Sequence, residues 1–173
     1  MRDAIEKVRE FHVANNQLIG GEFDEASSKA LNLKAEDELG SLDDLREGLE
    51  AVKDLAEMLE RYHDHMKDPR FLRMHLILEE AAEVCEAILA GNVIDTTDGL
   101  CDLAYVTAGT ALSLNLPLAD SFDEVHASNM TKRRVRNEDD KRFRGKGPNY
   151  RPPDLAPIVK KFRESGGYRV NSQ

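Results

Sequence analysis

The stretch "HLILEEAAEVCEAI", residues 75–88, has the apolar spacing of a packed helix, yet it carries Glu79, Glu80 and Glu83 with no lysine or arginine beside them. Burying carboxylates costs free energy unless something pairs them. At 100° per residue, Glu79, Glu83 and Glu86 fall within about 60° of one another, with Glu80 roughly 60° further round. His75 lies on the same side one turn earlier, and Met74, Leu78, Ala81, Cys85 and Ile88 cover the opposite side.

Working outward, Asp68-Pro69 starts this helix at about residue 70, and Gly91-Asn92 ends it. The next helix, running to about 115 with Asp95, Thr96 or Thr97 as its cap, repeats the design. Asp95, Asp98 and Asp102 cluster on one side, and Leu103, Ala104, Thr107, Ala108 and Ala111 fill much of the rest. It is apolar nearly all round, which predicts deep burial. A short connection predicts antiparallel packing, so the two acidic faces meet. Carboxylates across one gap repel unless a cation lies between them. Oxygen donors without His or Cys select Mg²⁺, Mn²⁺ or Ca²⁺, and Mg²⁺ favours phosphates as co-ligands.

The remaining chain is also helical in pattern. Residues 2–17 form a first helix. "LIGGEFDEASSKALNLKAEDELGS" reads as a loop with a short helix. Leu45, Leu49, Val52, Leu55, Leu59, Tyr62 and Met66 mark a long helix over 43–67. Pro117 starts a further helix through "LADSFDEVHASNMTKRRV", and a short one follows over 154–164. The expected class is therefore all-α, with 40% hydrophobic residues and 6% aromatics among 173. No stretch of 18 apolar residues spans a membrane, and the charged start lacks a secretory leader. The expected location is the cytoplasm, with Cys85 and Cys101 as buried free thiols.

Charge is divided along the chain. Residues 131–173 hold 13 of the 24 Lys and Arg and 5 of the 33 acids, a net +8, and the rest carries −17. This fits an anionic ligand gripped from the C-terminal side, or self-complementation. It does not favour nucleic acid, because the tail lacks interleaved aromatics and the acidic body repels phosphates.

In order, "LILEEAAEVCEAI", "DGLCDLAYVTAGTAL", "FDEVHASNMTK" and "KGPNYRPPDL" resemble motifs of the all-α nucleoside triphosphate pyrophosphatases, the MazG and phosphoribosyl-ATP pyrophosphohydrolase-like group. "VREFHVANNQ" also resembles the opening helix of the latter. The resemblance covers about residues 5–20 and 70–155. Residues 21–69 read as an insertion or elaboration of a single domain over 1–173, and 137–173 as its basic C-terminal segment. The resemblance implies a helical bundle completed by oligomerisation, as a homodimer or homotetramer. It also implies Mg²⁺-dependent hydrolysis (Mn²⁺ as substitute) between the α- and β-phosphates of a nucleotide, giving a monophosphate and pyrophosphate.

The family motif "EExxE" is matched by Glu79, Glu80 and Glu83, and the last residue of "ExxD" by Asp102. The family's Glu three residues earlier is Gly99 here, and Asp98 is its expected substitute, with Asp95 second. Glu79, Glu80, Glu83, Asp98 and Asp102 are thus the expected metal ligands, with Glu79 or Glu80 activating water. Lys132, Arg133 and Lys146 are expected on phosphate, Asn129 on sugar or base, and Asn16 and Gln17 on the base. Three alternatives stand beside this reading. The substrate is phosphoribosyl-ATP, or the protein is a non-catalytic helical metal-binding or interaction protein, or "ERYH" at 60–63 and "DEVH" at 123–126 build a di-iron bundle.

Overall fold

The computed structural model describes residues 1–15, 17, 19–21, 23–39, 42–132 and 148–168. Every regular element among them is helical: α1 (Arg2–Ala14), α2 (Glu25–Leu39), α3 (Asp43–Met66), α4 (Pro69–Ala90), α5 (Val93–Ser113), α6 (Leu118–Met130) and α7 (Ala156–Glu164). The chain divides into two compact units, one of Met1–Gly21 with Asn115–Gln173, the other of Glu22–Leu114.

In the second unit α4 packs against both α3 and α5. Both pairs are antiparallel, since His75 meets Ala56 while Glu86 meets Lys53, and Gly99 meets Val84 while Gly109 meets Arg73. Local signals set the ends of α4. Pro69 occupies its first turn, where its missing N–H is not needed, and the Asp68 carboxylate accepts from the Arg70 amide. Gly91 closes it in the left-handed region at φ 70°. The cap of α5 is Asn92, earlier than the expected Asp95, Thr96 or Thr97. Its Oδ1 accepts from the amides of Ile94 and Asp95, both at 3.1 Å. Asn92 precedes the aspartates, so it reaches the free amides first.

Residues 25–39 form a helix of four turns where a short one was expected. Asp24 and Ser27 cap it reciprocally: Asp24 Oδ1 accepts from the Ser27 amide at 2.7 Å, and Ser27 Oγ accepts from the Asp24 amide at 3.0 Å. The helix then serves α4. Ser28 Oγ donates to the Ile88 carbonyl at 3.3 Å, and Asn32 Nδ2 donates to the Leu89 carbonyl at 3.0 Å. Those carbonyls belong to the last turn of α4, which has no partners within its own helix.

The first unit contains α1, α6 and α7. Lys7 pairs with Asp123, and His126 Nε2 stands 3.4 Å from Glu10, joining α1 to α6. The "RPPD" segment is fixed to α6. The buried Ser128 Oγ donates to the Arg151 carbonyl at 2.8 Å, and Glu124 accepts from the Arg151 guanidinium and the Asp154 amide.

Two expectations about burial are corrected. Cys85 and Cys101 are both exposed. Helix α5 is covered on one side only: Ile94, Leu100 and Tyr105 are 79%, 52% and 80% exposed, and Asp102 is exposed too. The apolar side of α4 is likewise open at Met74 and Ile88. The reason is geometric. Both flanks of α4 are taken by α3 and α5, so within this unit little remains to cover either stripe. No helix of the described residues is long and apolar enough to cross a membrane.

Candidate active site

The two acidic faces do meet. An open groove of about 480 Å³ between α4 and α5 is lined by Glu83, Glu86, Asp95, Asp98 and Asp102, together with Ala87, Ala90, Asn92 and Gly99. Its size suits a small-molecule site, though it is far more acidic than most. Glu80 feels the charge of this cluster. Burial, then the charges of Glu83, Asp102, Glu79 and Asp98, push its carboxyl above the usual glutamate range. Those four neighbours are the other four residues the sequence singled out as metal ligands.

Gly99 stands where the resembled motif carries a glutamate. It is buried, and a Cβ there would lie 2.9 Å from Val84 Cγ2. A side chain at position 99 would therefore have to shift the Val84 side chain on α4. Asp98, one residue earlier, lines the groove instead. Asp95 lines it as well, but it also accepts from Asn92 Nδ2 and so belongs partly to the cap of α5.

As the side chains stand, no group of three His, Cys, Asp or Glu among the described residues is arranged to hold a metal ion. The donors instead face one another across the groove. Their chemistry still fits a hard divalent cation: all are carboxylate oxygens, and they crowd one another enough to disfavour ionisation of Glu80.

One cation from α3 reaches this region. Lys53 Nζ pairs with Glu86 and lies 3.6 Å from Glu50, and the Glu86 contact raises the ammonium pKa further. Glu86 shares the acidic side of α4 on the helical wheel, but its partner on another helix could not be read from spacing. His75 is buried, with Nδ1 3.0 Å from the Ala56 carbonyl and Nε2 3.4 Å from Glu79.

The remaining candidates belong to the first unit. Lys132 Nζ donates to Asn129 Oδ1 at 2.7 Å, so these two are brought together at the end of α6. Gln17 follows α1, its amide donating to the His12 carbonyl and its Oε1 shielded without a hydrogen-bond partner among the described residues. Asn16, Arg133 and Lys146 lie outside the described residues. The residues of the di-iron alternative have other neighbours. His63 Nδ1 is 3.1 Å from the Asp68 carbonyl, Asp123 pairs with Lys7, and His126 faces Glu10.

Among the described residues the chain is thus all-α, with glutamates on α4 facing aspartates on α5. Residues 52–129 match the family model of phosphoribosyl-ATP pyrophosphohydrolase, a likeness over this stretch to the all-α nucleoside triphosphate pyrophosphatase superfamily. Neither curated proteins nor solved structures gave a match. The matched stretch begins at Val52, so the second half of α3 lies inside it.

Proposed function

We propose that this protein is a divalent-cation-dependent pyrophosphohydrolase that cleaves a nucleoside triphosphate between its α- and β-phosphates. The observation that carries this is the crowding of Glu80 by Glu79, Glu83, Asp98 and Asp102 within the segment that matches a pyrophosphohydrolase family. Glu79, Glu83, Asp98 and Asp102 would hold Mg²⁺ or Mn²⁺, and a bound ion supplies charge neutralisation on the phosphate oxygens. Glu80 orients the attacking water and takes its proton. Lys132, with Asn129 as its partner, is the described basic group assigned to phosphate. Arg133, Lys146, Asn16 and Gln17 complete the proposed substrate contacts.

The test is to incubate the protein with Mg²⁺ and the common NTPs, dNTPs, dUTP and phosphoribosyl-ATP, and to separate the products. Monophosphate with pyrophosphate is expected. Diphosphate with phosphate, or no turnover with Mg²⁺ or Mn²⁺, would refute the reading. The matched family's name favours a second substrate, phosphoribosyl-ATP. Fastest turnover on that compound would select it.

The same reading includes a homo-oligomer. Ile94, Cys101, Tyr105, Ala108 and Leu112 form an exposed stripe within about 60° along α5. A second copy is the occupant assigned to it, since a long apolar stripe left in water is costly. Light scattering is expected to give the mass of a dimer or tetramer, and Tyr105→Glu that of the monomer. A monomeric wild-type protein would refute the assignment.

A further inference from the structure

We infer that Arg73 is a binding residue for the terminal phosphate of the nucleotide, a role that rests on the function proposed above. Arg73 is half-buried on α4, and its Nε is shielded from solvent with no hydrogen-bond partner among the described residues. No carboxylate among those residues pairs with its guanidinium. Its Nη1 lies against α5 at Gly109, where an added Cβ would be 3.1 Å away. Shielded polar groups are nearly always partnered, and a charge is the costliest to leave without one. A guanidinium held in this way is suited to an anion brought by a ligand.

Register places this cation relative to the carboxylates. Arg73 stands seven residues before Glu80 on α4, and Gly109 stands seven after Asp102 on α5. Seven residues return a helix to within about 20° of the same face, about 10.5 Å along its axis. One antiparallel seam therefore runs from Glu80 and Asp102, whose charge Glu80 feels, to Arg73 and Gly109. A triphosphate laid along it keeps the reacting phosphorus beside the carboxylates that would hold the metal. Its far end then extends toward the guanidinium, whose planar fork matches phosphate oxygens two at a time. A packing role alone does not account for arginine here, because methionine would fill the space between α4 and α5 without desolvating a charge.

The experiment is a calorimetric titration of the full chain, first with Mn²⁺ alone and then with inorganic pyrophosphate in Mg²⁺, in wild type, Arg73→Met and Arg73→Lys. The expected result is pyrophosphate binding about 10-fold weaker in Arg73→Met, with part of the loss recovered in Arg73→Lys, which keeps the charge without the fork. Mn²⁺ alone is expected to bind Arg73→Met no more weakly than wild type. The metal-free Arg73→Met protein should also melt no lower than wild type, since an unpaired charge has been removed; a merely structural arginine would lower it. Equal pyrophosphate affinity in wild type and Arg73→Met would overturn the proposal while leaving the metal site intact, as would a wild type that binds Mn²⁺ but not pyrophosphate. Absence of Mn²⁺ binding in the wild type would instead refute the metal site and this role with it. If neither variant folds, or if Arg73→Met changes the mass in light scattering, Arg73 serves the fold or a contact with a second copy and the phosphate role is wrong.

Discussion

Glu80→Gln is expected to remove at least about 100-fold of the pyrophosphohydrolase activity while making the metal-free protein more stable. The activity loss follows from the role assigned to this carboxylate, since an amide cannot take a proton from water. The stability gain follows from its surroundings. Burial and four neighbouring carboxylates raise its folded-state pKa above the unfolded value, so the folded state binds more protons than the unfolded one in that window. Stability then falls as pH rises from the ordinary glutamate value through the raised one, and the full penalty applies above it. Thermal melting in EDTA should therefore show the variant above wild type at neutral pH and level with it near pH 4. A variant that loses stability at pH 7 would contradict the crowding. One that keeps full turnover would contradict the assignment.

Gly91→Ala is the substitution with the largest expected effect on stability, roughly 3 kcal/mol or more from two causes together. Its φ of 70° is one that side-chain-bearing residues adopt at a cost. In addition, an added Cβ would lie 2.3 Å from the Asp24 carbonyl oxygen, a backbone atom that cannot move without shifting the start of α2. Gly20→Ala separates the two causes. It has nearly the same φ, 68°, and nothing within 4 Å of the added Cβ. It should cost only about 1 kcal/mol. Urea unfolding of both variants measures the difference, and equal losses would show that α2 does not press on Gly91.

Much of the site was legible because its signals are local. Helix period places Glu79, Glu83 and Glu86 on one side of α4 and Asp95, Asp98 and Asp102 on one side of α5, whatever surrounds them. Pro69 and Gly91 mark helix ends through restrictions on their own backbone. The short link between α4 and α5 leaves antiparallel packing as the economical arrangement, and with it the meeting of the two faces. Residues 25–39 were less legible. Their apolar residues have no clear helical period, and their partners, the carbonyls of Ile88 and Leu89, lie about 60 positions away.

The sequence by itself determined the helices, their punctuation and the two acidic faces, because each depends on residues a few positions apart. Only the tertiary structure decided what those faces meet. It brought Lys53 to Glu86, set His75 between Ala56 and Glu79, closed α5 onto Val84 so that a Cβ at position 99 would press on the valine side chain, and left the stripe through Tyr105 open. Each of these depends on how closely two helices approach and at what rotation, which is fixed by packing over the whole unit and by no short run of residues.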